Sequence, residues 1–225
     1  MTLLQPMTEL TIAGENFSLH AHKAMYWKKH DALLLADLHL GKVNHFRKAG
    51  IPVPSKANDR NLEMLIELLQ QVKPARLICL GDLFHSHYNQ EWEVFGEVIK
   101  HFSHVSFELV LGNHDIMSEL QYTRKGIIVH DELVLDQFIL THHPMEEIDA
   151  AQYNMAGHVH PGVHLRGKGR QAITLPCFYF GKNHALLPAF GMFTGLARIQ
   201  PKKDDRVFAI VEDKVIDVSI LGSDR

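Results

Sequence analysis

Two cysteines in 225 residues, Cys79 and Cys177, cannot build a disulfide framework. Cys79 lies in the apolar run Leu77-Ile78-Cys79-Leu80 and reads as a small buried residue; Cys177 follows Pro176. Such sparse usage suits a reducing cytosol. No apolar run approaches the roughly 20 residues of a membrane span, and Met1 to Gly14 lacks the basic start and apolar core of a secretory leader. The expectation is a soluble cytoplasmic protein without a membrane partner. Neither sign of charge dominates, with 23 Lys and Arg against 26 Asp and Glu, a net charge of −3. The surface as a whole is therefore not a polyanion receptor, and any such binding must come from a local patch or from bound cations. Low-complexity tracts, linkers and repeats of 20–50 residues are also missing. Residues 1–225 read as a single domain of ordinary globular composition, 46% hydrophobic and 22% charged.

Histidine is what the chain has in quantity, 17 residues, and its placement is ordered. Five short apolar runs each end in a cluster of Asp, Asn or His. Ala32 to Ala36 ends in Asp37-Leu38-His39. Arg76 to Leu80 ends in Gly81-Asp82-Leu83-Phe84-His85, and Val105 to Leu111 in Gly112-Asn113-His114-Asp115. Phe138 to Leu140 ends in Thr141-His142-His143-Pro144, and Tyr153 to Ala156 in Gly157-His158-Val159-His160. Continuous apolar runs of this length predict strands buried on both faces. In open α/β sheets, ligands gather beyond the carboxyl ends of such strands.

Helices fit the intervals. Leu62, Leu65, Ile66 and Leu69 form one apolar stripe, with Ser55 or Asp59 as cap and Pro74 as terminator. A second helix is expected from about Gln90 to Phe102, with Trp92, Phe95, Val98, Ile99 and Phe102 inward. From Leu10 to Trp27 and from Ala172 to Ile220 the pattern is short strands broken by turns, with hairpin connections at Gly14-Glu15-Asn16 and Glu212-Asp213-Lys214. Helices outside two packed sheets follow. Exposed strand edges near the termini leave a homodimer open.

Asp37, His39, Asp82, Asn113, His142, His158 and His160 are too many donors for one tetrahedral zinc and suit two ions sharing a carboxylate. Oxygen and imidazole donors without thiolate favour Mn²⁺, Fe or Zn²⁺ over a soft metal. Two divalent ions offset by Asp37, Asp82 and a hydroxide leave a small positive balance that attracts a phosphate ester. Coordination can lower the pKa of water to about 7 and hold a phosphoryl group in line. A leaving alkoxide needs a proton, for which His114 is the candidate, oriented by Asp115. Lys42, Arg47 and Lys48 follow the first cluster and Arg166, Lys168 and Arg170 the last, as candidate phosphate contacts.

These five motifs, in this order, resemble those of calcineurin-like metallophosphoesterases. The resemblance implies an α/β fold, a four-layer αββα sandwich of two mixed sheets flanked by helices. It implies that Asp37, His39, Asp82 and His160 hold one metal, most readily Mn²⁺. Asp82, Asn113, His142 and His158 hold the second, with Asp82 bridging. Ala36 to Lys42, Phe46 to Pro54 and Gly81 to Ser86 look like the bacterial ligase-associated DNA damage response endonucleases. That narrower likeness implies a DNA endonuclease in repair, associated with a DNA ligase and a helicase, with His85 supporting the ligands or facing the substrate. The alternative is the same chemistry on a small-molecule phosphodiester or monoester.

Overall fold

The computed structural model describes residues 7–40, 57–85, 90–167, 171–192 and 194–219. Lys42, Arg47, Lys48, Ser55, Lys168 and Arg170 lie outside these. The first sheet pairs β1 (Thr8–Ile12), β2 (Glu15–His20), β3 (Ala24–Trp27), β4 (Ala32–Leu35), β5 (Arg76–Leu80), β6 (Ser106–Val110) and β7 (Ile127–His130) in chain order. Its first half is antiparallel and β4 to β7 are parallel. The antiparallel half needs only tight turns. Ala13 and Gly14, both at positive φ, join β1 to β2, so the turn comes just before the expected Glu15 and Asn16.

Parallel strands need crossovers. Helix α1 (Ala57–Val72) returns the chain from β4 to β5, α2 (Gln90–His101) from β5 to β6, and the short α3 (Glu119–Thr123) stands between β6 and β7. Asp59 is the third residue of α1 rather than its cap, and Pro74 stands just beyond its end. Leu62, Leu65 and Leu69 of the expected stripe are buried, joined by Met64 and Leu68, and Trp92, Phe95, Val98, Ile99 and Phe102 are all buried. These side chains pack on the first sheet's outer face.

The second sheet is also mixed. Its order is β14 (Ala197–Arg198), β11 (Pro161–Arg166), β12 (Ala172–Phe180), β13 (His184–Leu186), β10 (Tyr153–Ala156), β9 (Phe138–Thr141), β8 (Leu133–Leu135), with β15 (Arg206–Val211) and β16 (Lys214–Asp217) paired off β12. Phe17, Trp27, Phe138, Phe178, Phe180 and Phe208 fill the layer between the sheets. The helices among the described residues all lie on the first sheet. The second sheet's outer face carries a smaller cluster in which Val218 and Ile199 cover Val163, Cys177 and Val207. Its strands after β10 connect largely as antiparallel pairs, which require no helical crossover. No helix among the described residues is long and apolar enough to cross a membrane.

One polar network ties the parallel strands together. Buried Glu108 on β6 accepts two bonds from Arg76 on β5, at 2.6 and 2.9 Å, and lies 3.0 Å from His130 Nε2 on β7. Burial raises the Glu108 pKa, but the bonds from Arg76 and His130 outweigh it and hold the carboxyl below its usual value. A depressed carboxylate stabilises the fold above its unfolded pKa, and that stability is lost as pH falls through the folded value. Glu108→Gln should therefore cost about 2 kcal/mol at pH 7. The gap to the parent chain should close as the pH drops below about 4, measured by urea unfolding across pH.

Candidate metal centre

All five sequence clusters meet at one rim. Strands β4, β5 and β6 point their carboxyl ends to it from the first sheet, β9 and β10 from the second. The sheets are pinned there by Phe190 N–H to Ala36 O at 2.8 Å and Gly191 N–H to Asp37 O at 3.0 Å.

His160 Nε2 lies 3.4 Å from Asp37 Oδ1 and 3.5 Å from His39 Nε2, and His39 Nε2 lies 3.9 Å from Asp82 Oδ2. On the other side, His142 Nε2 is 3.0 Å from Asn113 Oδ1, 3.1 Å from His158 Nδ1 and 3.4 Å from Asp82 Oδ1. Asp82 thus turns one oxygen toward each group. His142 Nδ1 donates to Leu80 O at 3.0 Å, which leaves Nε2 with its lone pair aimed inward. Asp37 Oδ1 is buried and has no hydrogen-bond partner. Unprotonated nitrogens, an amide oxygen and two buried carboxylates facing one another repel unless a cation sits among them. The donor set fits divalent metal. Burial and the neighbouring His143 and His142 hold the His158 pKa below its usual value, which keeps its ring a neutral ligand.

The backbone is bent to achieve this. Asp37, His39, Asp82, His158 and His160 all adopt left-handed φ, between 50° and 64°. Each such residue costs on the order of 1 kcal/mol, a strain that persists at functional sites because the surroundings enforce it. The turn at Gly157 answers a different need. A Cβ there would stand 2.8 Å from Ala36 Cβ, Asp37 Oδ2 and Leu80 O, so the glycine lets the His158-Val159-His160 loop close onto Asp37. His158 N–H then donates to Asp37 Oδ2 at 2.9 Å. Gly157→Ala should push the two loops apart and weaken metal binding by at least about tenfold, the scale of losing a supporting contact; calorimetric metal titration checks this.

The candidate proton donor is present at the mouth. His114 packs against His85 with ring centroids 4.0 Å apart and the rings tilted by 54°, and both lie near His39, at 6.0 and 5.5 Å. Asp115 does not orient the His114 ring as expected. Its carboxylate instead accepts from Gly112 N–H at 2.9 Å and Phe84 N–H at 3.1 Å, with Tyr122 Oη at 3.5 Å. It is a brace between the second and third ligand loops, because buried backbone N–H groups there need an acceptor more than an exposed imidazole does. Burial pushes its pKa up to about 6. His143 lies beside His158, with ring centroids 4.0 Å apart. Arg166 stands exposed on β11.

Residues 31–162 match the calcineurin-like phosphoesterase family model. The chain belongs to that family. Calcineurin-like phosphoesterases use divalent metals to hydrolyse phosphoesters, and the residues that would hold them here are the clustered ones just described. The chain is 30% identical to a nuclease, MPE, of Pseudomonas putida, over 95% of this chain and all of that one, with a TM-score of 0.78. An Aquifex aeolicus protein of unknown function, AQ665, is 16% identical over 62% of this chain and 82% of that one, at a TM-score of 0.38. No curated protein sequence matches.

The sequence reading missed two parts of this phosphoesterase site. Asn61, buried on α1, donates to Leu38 O at 3.4 Å and accepts from Met192 N–H at 3.3 Å, so it clamps the first ligand loop. Its signal was a polar residue inside an apolar stripe. The segment Ala189 to Met192 carries no comparable sequence signal.

Proposed function

We propose that this chain is a DNA endonuclease of repair, cutting phosphodiester bonds with two divalent ions, Mn²⁺ ahead of Fe or Zn²⁺. The observation that carries the dinuclear reading is Asp82, whose two oxygens face separate donor groups. Asp37, His39, Asp82 and His160 would hold one ion; Asp82, Asn113, His142 and His158 would hold the other. Such ions supply Lewis acidity and a hydroxide at neutral pH. The chain's own residues do the rest. Asp37 and Asp82 set the charge, so that the loaded site keeps a small positive balance for a phosphate ester. His114 gives the leaving alkoxide its proton, His85 beside it flanks the departing group, and Asp115 holds the loop carrying both His114 and Asn113 in place.

The likeness to a nuclease over 95% of this chain and all of that one supports a nucleic acid as substrate, and DNA is the one proposed here. In this reading the enzyme works in the cytoplasm beside a DNA ligase and a helicase. The test is a substrate panel for the Mn²⁺-loaded protein: single-stranded, nicked and supercoiled DNA beside small phosphodiesters and monoesters. Cleavage of at least one DNA form is expected. Brisk turnover of one small ester with every DNA form intact would replace the nuclease with a small-molecule phosphodiesterase or phosphatase.

A further inference from the structure

The face of β12 that sends Phe178 and Phe180 between the sheets also carries Thr174, by the two-residue period of a strand. Toward β11 and β14 this same face runs out from under the first sheet, and past buried Gly162 its residues His164, Thr174, Leu196 and Arg198 are half-buried or exposed. Gly162, His164, Thr174, Leu196 and Arg198 share it. A Cβ on Gly162 would lie 3.0 Å from both Leu196 and Thr174, and His164 Nδ1 lies 3.1 Å from Thr174 Oγ1. Arg198 Nη2 donates to His164 Nδ1 at 2.8 Å, which fixes the guanidinium on the sheet. Arg166 follows on the same face by alternation.

This shelf begins at the metal centre. Pro161 of β11 follows the ligand His160, and Ala197 of β14 donates to His160 O at 3.0 Å. Neither Arg166 nor Arg198 forms an ion pair among the described residues, so no carboxylate neutralises either guanidinium there. Two unpaired guanidinium groups on an open strand face therefore lead away from the ligands, on a protein whose net charge is −3.

We propose that this shelf is a second phosphate site, at which Arg198, positioned by His164, and then Arg166 take backbone phosphates of the strand being cut. It rests on the nuclease reading above. At about 3.3 Å per residue, His164 and Arg166 stand roughly 13 and 20 Å along the strand from His160. A small diester ends at the metals and cannot reach them. A nucleic-acid strand continues past the scissile phosphate and carries further backbone phosphates out to that distance. Guanidinium is the side chain whose fork matches a phosphate.

The test compares Arg198→Ala and Arg198→Lys with the parent on a dinucleotide and on a single strand of about 20 nucleotides, under Mn²⁺. For the long strand, KM should rise roughly tenfold in Arg198→Ala with kcat little changed, the scale of one charge-assisted bond. The slope of log KM against log salt should become shallower by about 0.7. Arg198→Lys should recover the salt slope and part of the KM. The ratio of long-strand to dinucleotide kcat/KM should fall in Arg198→Ala. An equal loss on both substrates would place the effect at the metal centre and overturn the proposal, as would a parental ratio with an unchanged salt slope. A parent enzyme that turns over the dinucleotide but no longer strand would overturn the nuclease reading and this inference with it.

Discussion

Replacing Asp82 with alanine should abolish hydrolysis, by more than about a thousandfold, and empty the site of metal. The expectation exceeds the ten- to hundredfold typical of losing a supporting group because Asp82 serves both donor groups at once. It also accepts from His114 N–H at 2.9 Å, so the alanine disturbs the third ligand loop as well. Asp82→Asn separates charge from shape. It keeps an oxygen for that backbone bond and removes one negative charge from a buried group that also holds Asp37 and Asp115. Metal-free Asp82→Asn should therefore melt higher than metal-free parent, since it relieves repulsion between buried carboxylates. It should gain little from added Mn²⁺, while the parent gains by mass action. Thermal unfolding with and without Mn²⁺ reads both effects. A variant with parental activity and a parental metal-dependent shift would remove Asp82 from the centre.

His114→Ala should behave in the opposite way. Metal content should stay near the parent's, because His114 touches Asp82 through its backbone N–H and the substitution leaves that in place. The rate should fall by about 10² to 10⁴, the range for loss of a general acid. The fall should be large for an alkoxide leaving group, which needs a proton, and small for a nitrophenolate, which does not. Steady-state kinetics on the two ester types checks this. Equal losses on both would make His114 a substrate contact, and no loss would refute its role as acid.

The strands and their polar ends were legible because each apolar run stops at a residue chemistry cannot leave buried alone. Ala32 to Ala36 must be core, and Asp37 directly after it must sit at an edge. The glycines before Asp82 and Asn113 answer close approach in the fold: a Cβ on Gly81 would meet His142, and one on Gly112 would meet Asp82. What stayed hidden depends on long-range contact. Asp115 looked like a partner of its neighbour His114, yet its acceptors are taken by Gly112 and by Phe84, 31 residues away. Asn61 and Met192, 131 residues apart, meet only in the fold. Arg198 and His164 joined across strands are equally invisible to periodicity. The left-handed backbone at the ligands is a consequence of convergence, and Asp and His merely tolerate it.

Metal stoichiometry tests the central claim most directly. Chelated protein dialysed against Mn²⁺ and assayed by elemental analysis, with phosphodiester hydrolysis followed on the same samples, should take up two ions per chain and become active as the second is bound. Hydrolysis that persists in the metal-free protein, or a chain that saturates without activity at fewer than two ions, would contradict the account.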